Sequence, residues 1–469
     1  MTGRTTDRPH EIVERALELS RADGTVAIVE ERSSVNLRWA GNALTTNGAT
    51  QERRVTVIAT VGGAEGTAAG VVSRWGATAG ELESLVRAAE DAARGSGPME
   101  DAQPLAGPGA DSGDFTAPPL VTSPRLFDGF ATALGETFAT AASGGRELFG
   151  FASHQSVSTY LGTSAGARLR HDQPMGTVEL NAKSPDRTRS AWTNQAADDF
   201  ADVDIAAMDA ELARRLGWAE RSVELPAGRY ETLLPPVAVA DLQIYQHWMA
   251  DARDAAEGRT LFSAPGGTTR IGERLTELPF DLYSDPGAPG LTAAPFVISH
   301  ASGGTIGPGS SVFDNGVPLR RSDWIKDGTL RALPASRYGS ALTGLPSAPR
   351  TDNLVLDAGG TRSLEEMVAR TERGLLLTSL WYIREVDPRN LLMTGLTRDG
   401  VYLVENGEVT GAVNNFRFNE SPLEVIARAT EAGRTERCLS REWTDYFGPT
   451  AMPALRVEDF HMSSVSQGV

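Results

Sequence analysis

The sequence predicts an α+β protein of two domains, the first mixing helices with a strand meander and the second rich in strands. Three observations carry that expectation. The chain has 469 residues, more than one hydrophobic core usually serves. Its first half interleaves helical patterns with period-two strand patterns. Beyond Gly258 it turns to short strands broken by Gly and Pro turns, with no repeat of fixed period.

Taken in order, residues 10–22 set Ile12, Ala16 and Leu19 at helical spacing, and Asp23-Gly24 ends the run. Residues 25–31, 35–40, 54–60 and 66–74 alternate apolar and polar side chains, with turn residues such as Asn42 and Gly62-Gly63 between them. A second helix is expected over 79–94. Residues 95–124 are rich in Gly, Pro, Ala, Ser and Asp, the composition of a surface excursion or linker. Residues 126–142 are helical in pattern and 147–189 return to strands with tight turns. Residues 202–216 are again helical, with Asp202 and Asp204 in the first turn, where the helix dipole favours acids. The phrase Leu225-Pro226-Ala227-Gly228-Arg229-Tyr230 reads as a break, so domains are expected over 1–225 and 226–469. The second opens with an amphipathic helix that places Leu242, Tyr245, Met249, Ala252 and Ala256 on one face.

The composition, 40% hydrophobic and 22% charged, is that of a globular protein. A net charge of −17 repels phosphate backbones and anionic membrane surfaces, so nucleic acid and membrane are not expected partners. A protein partner stays open, because interface cores are depleted of charge. The first residues carry Arg4, Asp7, Arg8, Glu11 and Glu14 without the apolar core of a secretory signal. The most apolar later run, 374–383, is about half the length of a membrane helix and reads as a buried strand. One cysteine, Cys438, precludes an internal disulfide or a cysteine-rich zinc module. A cytoplasmic location is expected.

Histidine offers little metal chemistry. The six are His10, His154, His171, His247, His300 and His461, and no two are spaced to share a helix face. A helical zinc site needs two imidazoles one turn apart with a carboxylate to activate water; His247 alone reads as a packed or surface residue. Gly162-Thr163-Ser164-Ala165-Gly166 matches the G-x-S-x-G form of a nucleophile elbow, which works only where a strand turns sharply into a helix. Strand-like residues lie on both sides of Ser164, so a hairpin turn is expected instead. Asp198, Asp199, Asp202 and Asp204 lack the glycine and closing glutamate of a calcium loop and read as a solvated helix start. Gly266-Gly267 and Gly303-Gly304 lack phosphate-loop spacing and read as turns. Cys438, with no Cys or His beside it, reads as a buried or partly buried inert thiol. The residues by themselves give no catalytic centre.

Arg270-Ile271-Gly272-Glu273-Arg274, Thr351-Asp352-Asn353-Leu354-Val355-Leu356 with Gly359-Gly360, Arg373-Gly374-Leu375-Leu376-Leu377 with Trp381, and Thr394-Gly395 followed by residues 400–408 stand in an order that resembles the TldD/PmbA metallopeptidases. The resemblance extends to the first half, where Arg38 and Asn42 stand in the place of that family's variable hairpin. Catalytic members carry His-Glu-x-x-x-His on a helix ahead of the Gly-Glu turn, and a cysteine near the C-terminus completes their zinc site. Here the matching stretch is His247-Trp248-Met249-Ala250-Asp251-Ala252: one histidine persists, Trp248 stands for the glutamate and Ala252 for the second histidine. A register shifted by one puts Trp248 and Arg253 at the ligand places, which is no better. Cys438 compares with the family's ligand cysteine but is followed by Leu439-Ser440 instead of Gly-Lys. The resemblance is therefore to the metal-free PmbA (TldE) side, and it implies no catalytic or metal-binding residue in this chain. It implies a heterodimer with a TldD-like subunit that holds zinc, acting on small or unfolded peptides, with this chain enclosing the cleft. A stand-alone peptide-binding or scaffold homodimer, and a serine hydrolase built on Ser164, are the alternatives.

Overall fold

The computed structural model describes residues 7–110, 112–301 and 310–466; Gly303-Gly304 lie outside them. In the first half the chain forms α1 (Pro9–Leu19), β1 (Gly24–Trp39), β2 (Leu44–Gly63), β3 (Gly66–Trp75), α2 (Leu82–Gly95), α3 (Asp128–Ser143), β4 (Glu147–Thr163), β5 (Arg168–Lys183), β6 (Ser190–Ala197) and α4 (Ile205–Trp218). The strands make one antiparallel sheet in the order β3-β2-β1-β4-β5-β6. The mixed α+β class holds.

Period-two alternation explains how the sheet is covered. Ala27, Val29, Val35, Leu37 and Trp39 of β1 share one face; α1 and α2 bury the first two, and α3 and α4 the other three. Val26 and Ile28 face the other way, onto Phe296, Val312 and Phe313 from the second half of the chain. The described residues of 96–123 contain no helix or strand, yet they are not a free linker. Met99, Ala102 and Leu105 pack beside that second face, Leu120 N donates to Ser158 Oγ at 2.8 Å, and Tyr160 donates to Ala117 O at 2.6 Å.

Two strands differ from expectation. β1 is unbroken where two strands are expected, because residues 32–34 pair with β2 and with β4 at once. β2 begins at Leu44, about ten residues ahead of the expected strand. Its early residues are exposed on both faces, so only backbone pairing with β1 marks them as strand. Asp204, not Asp202, caps α4, accepting from Ala207 N at 2.9 Å.

The second half adds β7 (Ser222–Val223), β8 (Gly228–Leu234), α5 (Pro236–Met249) and α6 (Ala252–Ala256), then mostly short strands. Among the described residues these form a fourteen-stranded mixed sheet around the long final strand Thr450–Val465, which pairs with β8, with Ala429–Cys438 and with Phe416–Glu420. The break expected at Leu225 becomes β8 three residues later, and the proposed division near 225 falls between β7 and β8. The apolar run 374–383 is buried from Gly374 to Leu380 and at Ile383, while Trp381 is half-buried and Tyr382 exposed, and it serves two strands, Arg373–Leu377 and Leu380–Asp387. Among the described residues no helix is long and apolar enough to cross a membrane.

Candidate functional site

α5 runs through the core of the second half. Pro236 sits in its first turn, where a missing N–H is harmless, and Ala238 through Ile244 are all buried. The helix does not continue to Ala252 and Ala256. It ends at Met249; Ala250 and Asp251 are extended, and Asp251 caps the separate α6 by accepting from Asp254 N at 3.0 Å. The amphipathic face expected across residues 242–256 is therefore divided between two helices.

Arg350 explains the break. Its Nε donates to His247 O at 3.2 Å, and its Nη2 donates to Trp248 O at 3.1 Å and Ala250 O at 2.6 Å. A guanidinium fork thus satisfies the last carbonyls of α5 and sits at the negative end of its dipole. Asp251 is close enough to interact with it electrostatically.

The residues compared with the zinc motif occupy this same region. His247 is 2% exposed, with Nε2 at 3.3 Å from Thr351 O and its ring against Trp324 and Phe447. A carbonyl can only accept, so Nε2 carries the proton. Burial, and then the charge of Arg350, push the imidazole down to about 3, so it is neutral at physiological pH. Trp248 packs edge-on against Trp443, ring centres 5.2 Å apart. Ala252 is buried at the start of α6, its N–H bonded to Pro334 O at 2.9 Å. Cys438 ends the strand Ala429–Cys438 opposite Thr450, with Sγ and Thr450 Oγ1 at 3.3 Å. Burial pushes its thiol up to about 12, far from the thiolate that zinc requires. Among the described residues no three His, Cys, Asp or Glu side chains are grouped to hold a metal ion. A neutral core imidazole, a protonated thiol, a tryptophan at the carboxylate place and a neighbouring guanidinium do not fit zinc.

Sequence reasoning missed Asp241, a carboxylate in the otherwise apolar run 237–242. Its Oδ1 accepts from the N–H groups of Arg441 and Glu442, both at 2.9 Å, while Oδ2 is buried without a hydrogen-bond partner. Burial holds its pKa well above the usual carboxylate range. Asp241 thus ties the helix to the loop after Cys438. In that loop Glu442 accepts from the N–H groups of Tyr382 and Ile383, at 2.8 and 3.2 Å. Arg441 stacks between Trp192 of β6 and Trp381, 4.4 and 5.1 Å from the ring centres, and pairs with Asp399. Beside the end of α5 lies a cavity of about 180 Å³, lined in part by Trp248, Phe296, Ser311, Asp314, Arg350 and Asp352.

Ser164 lies in the hairpin between β4 and β5, exposed, with its Oγ accepting from Thr25 N at 3.0 Å. A strand, not a helix, follows Gly166, so the strand-to-helix turn of a nucleophile elbow is not formed. The other histidines are scattered: His154 bonds Thr122, His171 bonds Gln173 and His300 bonds Arg54. Asp198 pairs with Arg437 and Asp199 caps a turn at Ala201. Gly266-Gly267 form the turn between the short strands Ser263–Ala264 and Thr268–Thr269.

No curated protein matches the chain. Among solved structures it is similar to TldE from Thermococcus kodakarensis, with 16% identity, TM-score 0.74, and coverage of 96% of this chain and 98% of that one. A proposed modulator of DNA gyrase from Thermotoga maritima is similar to the same degree, with 16% identity, TM-score 0.74 and coverage of 96% and 99%. Another from Bacteroides thetaiotaomicron shows 13% identity, TM-score 0.75 and coverage of 98% and 100%. At such identities these likenesses concern the fold. The family model for the PmbA/TldA metallopeptidase C-terminal domain matches residues 227–464, just over half of the chain. That stretch contains α5, Arg350 and Cys438, and by it the chain belongs to the TldD/PmbA family.

Proposed function

We propose that this chain is the non-catalytic subunit of a heterodimeric zinc peptidase, helping to enclose a cleft in which a TldD-like partner holds the metal and cleaves small or unfolded peptides. The observation that carries the reading is the end of α5, where Arg350 caps the helix beside the neutral, buried His247. The frame of the family's site persists while its ligand chemistry has become core packing and helix capping. The fold likeness to TldE supports the same side of the pair. The lone cysteine fits a reducing, cytoplasmic compartment.

The test is reconstitution. The chain is purified alone, a His-Glu-x-x-x-His relative from the same genome is purified alone, and the two are mixed and assayed on unstructured peptides. Hydrolysis by the mixture, zinc-dependent and absent from this chain alone, is expected. Peptide hydrolysis by this chain alone, lost on chelation, would overturn the reading.

A further inference from the structure

The final strand is bulged where it runs beside β8. Val457 pairs with Thr232 and Phe460 with Tyr230, so Glu458 and Asp459 together stand opposite Glu231. Asp459 takes the left-handed conformation, φ 55°, without being a glycine. At the bulge its carbonyl meets two guanidinia, accepting from Arg229 Nη1 at 2.9 Å and from Arg428 Nη1 at 2.7 Å. Two like charges are thus held within reach of one oxygen. Arg428 also pairs with the buried carboxylate of Glu420. Arg229 is in no ion pair among the described residues.

Both arginines line a cavity of about 770 Å³. Arg389 reaches it from the turn between the strands Leu380–Asp387 and Leu392–Thr397, and it too is in no ion pair among the described residues. Asp387 stands near it but accepts from Arg389 N and Asn390 Nδ2. Arg270 also lines the cavity, with its guanidinium donating to both carboxylate oxygens of Glu273, at 2.8 and 2.7 Å. The carboxylates in the lining are Glu420 and Glu424, and Glu424 acts on Arg270. The wall formed by Arg229, Arg389 and Arg428 therefore has one carboxylate, Glu420, against three guanidinia. His461, paired with Arg229 across the strands, feels that excess. Burial, and then the charge of Arg229, hold its imidazole below the usual value and neutral at pH 7. Leu261, Leu392 and Leu423 line the same cavity.

We propose that this cavity binds a peptide by its C-terminal carboxylate, held by the charges of Arg229 and Arg389, with the leucines receiving the last side chain. On a chain of net charge −17, a wall with more guanidinia than carboxylates is the local exception that an anion seeks. Guanidinium donors match the planar geometry of a carboxylate. The volume and the leucines separate a peptide from an inorganic ion. A lone phosphate would meet the arginines but leave the apolar wall and most of the space without a partner. A nucleic acid would bring many phosphates against a strongly acidic chain. That a peptide carries the carboxylate rests on the function proposed above. The guanidinium wall does not, since every residue in it belongs to this chain.

Calorimetric titration of the full-length chain, without any partner, tests the proposal. The probe is an N-acetylated Ala-Ala-Leu tripeptide, as the free acid and as the C-terminal amide. The acid should bind, and the amide should bind about tenfold or more weakly. The variant R229Q/R389Q should abolish that difference. Both positions are exposed and outside any ion pair among the described residues, so the change spares the core. Arg15→Gln, a loss of charge on exposed α1, should leave binding unchanged. Failure of the acid to bind, equal binding of acid and amide, or a preference that survives R229Q/R389Q would overturn the proposal. Inorganic phosphate binding as tightly as the acid would overturn it as well, by making the site one for small anions. None of these titrations needs a zinc-bearing subunit, so their failure is distinct from a failed reconstitution.

Discussion

Arg350 sets its guanidinium against the carbonyls of His247, Trp248 and Ala250, where the dipole of α5 is most negative. Arg350→Met keeps most of the side-chain volume but leaves those carbonyls without this donor fork. It should cost about 2–4 kcal/mol in urea unfolding, with Arg350→Lys in between because an ammonium cannot span three acceptors. His247 gives a pH dependence. Its folded pKa of about 3 lies below the ordinary 6.5, so its contribution is complete above pH 6.5 and is lost as pH falls toward 3. Unfolding free energy measured from pH 7 down to 4 should therefore decline, and His247→Phe should remove part of that decline. An unchanged slope would contradict a neutral core imidazole. The substitutions at Trp248 and Ala252 were legible in the sequence because they stand beside His247 in one short stretch. Arg350 was not: about a hundred residues separate it from the carbonyls it caps, and nothing local to residue 350 announces that contact.

Elements were legible where burial forced a pattern. α1, α2, α3 and α4 each have one apolar face on the first sheet, and each was expected within a few residues of its place. The outer half of β2 was missed because it is solvated on both faces and has no alternation to read. The break of α5 was missed for a different reason: Ala252 and Ala256 continue the apolar spacing, but the Asp251 cap and the Arg350 fork terminate the helix. Gly70 shows how closely elements approach. A Cβ there would lie 2.2 Å from Ala93 N and 2.3 Å from Ala89 O, so α2 rests on β3 through the absence of a side chain. Gly70→Ala should destabilise the chain by about 1–3 kcal/mol, and hydrogen exchange should quicken first in α2 and β3. Unchanged protection there would show that the helix can shift at no cost.

At the scale of the whole molecule, the two halves meet through Phe296, Val312 and Phe313 on the β1 face, and through Arg441 between Trp192 and Trp381. Aromatic sandwiching and the Asp399 pair make Arg441 a planar clamp, a role lysine fills poorly. Arg441→Lys should uncouple the halves, giving two unfolding transitions by tryptophan fluorescence where the parent gives one; a single unshifted transition would mean that the apolar contact suffices. The two-sheet α+β plan was legible because strand alternation survives in single segments. The coupling was not, since it joins residues roughly 250 positions apart. The central claim is that catalysis and metal belong to a partner chain. It is tested most directly by native mass spectrometry of this protein drawn from its own cells with complexes and metals intact. The account predicts a one-to-one complex with a partner of similar mass, carrying a single zinc that leaves with the partner when the subunits are separated. Zinc bound stoichiometrically to this chain alone would contradict it.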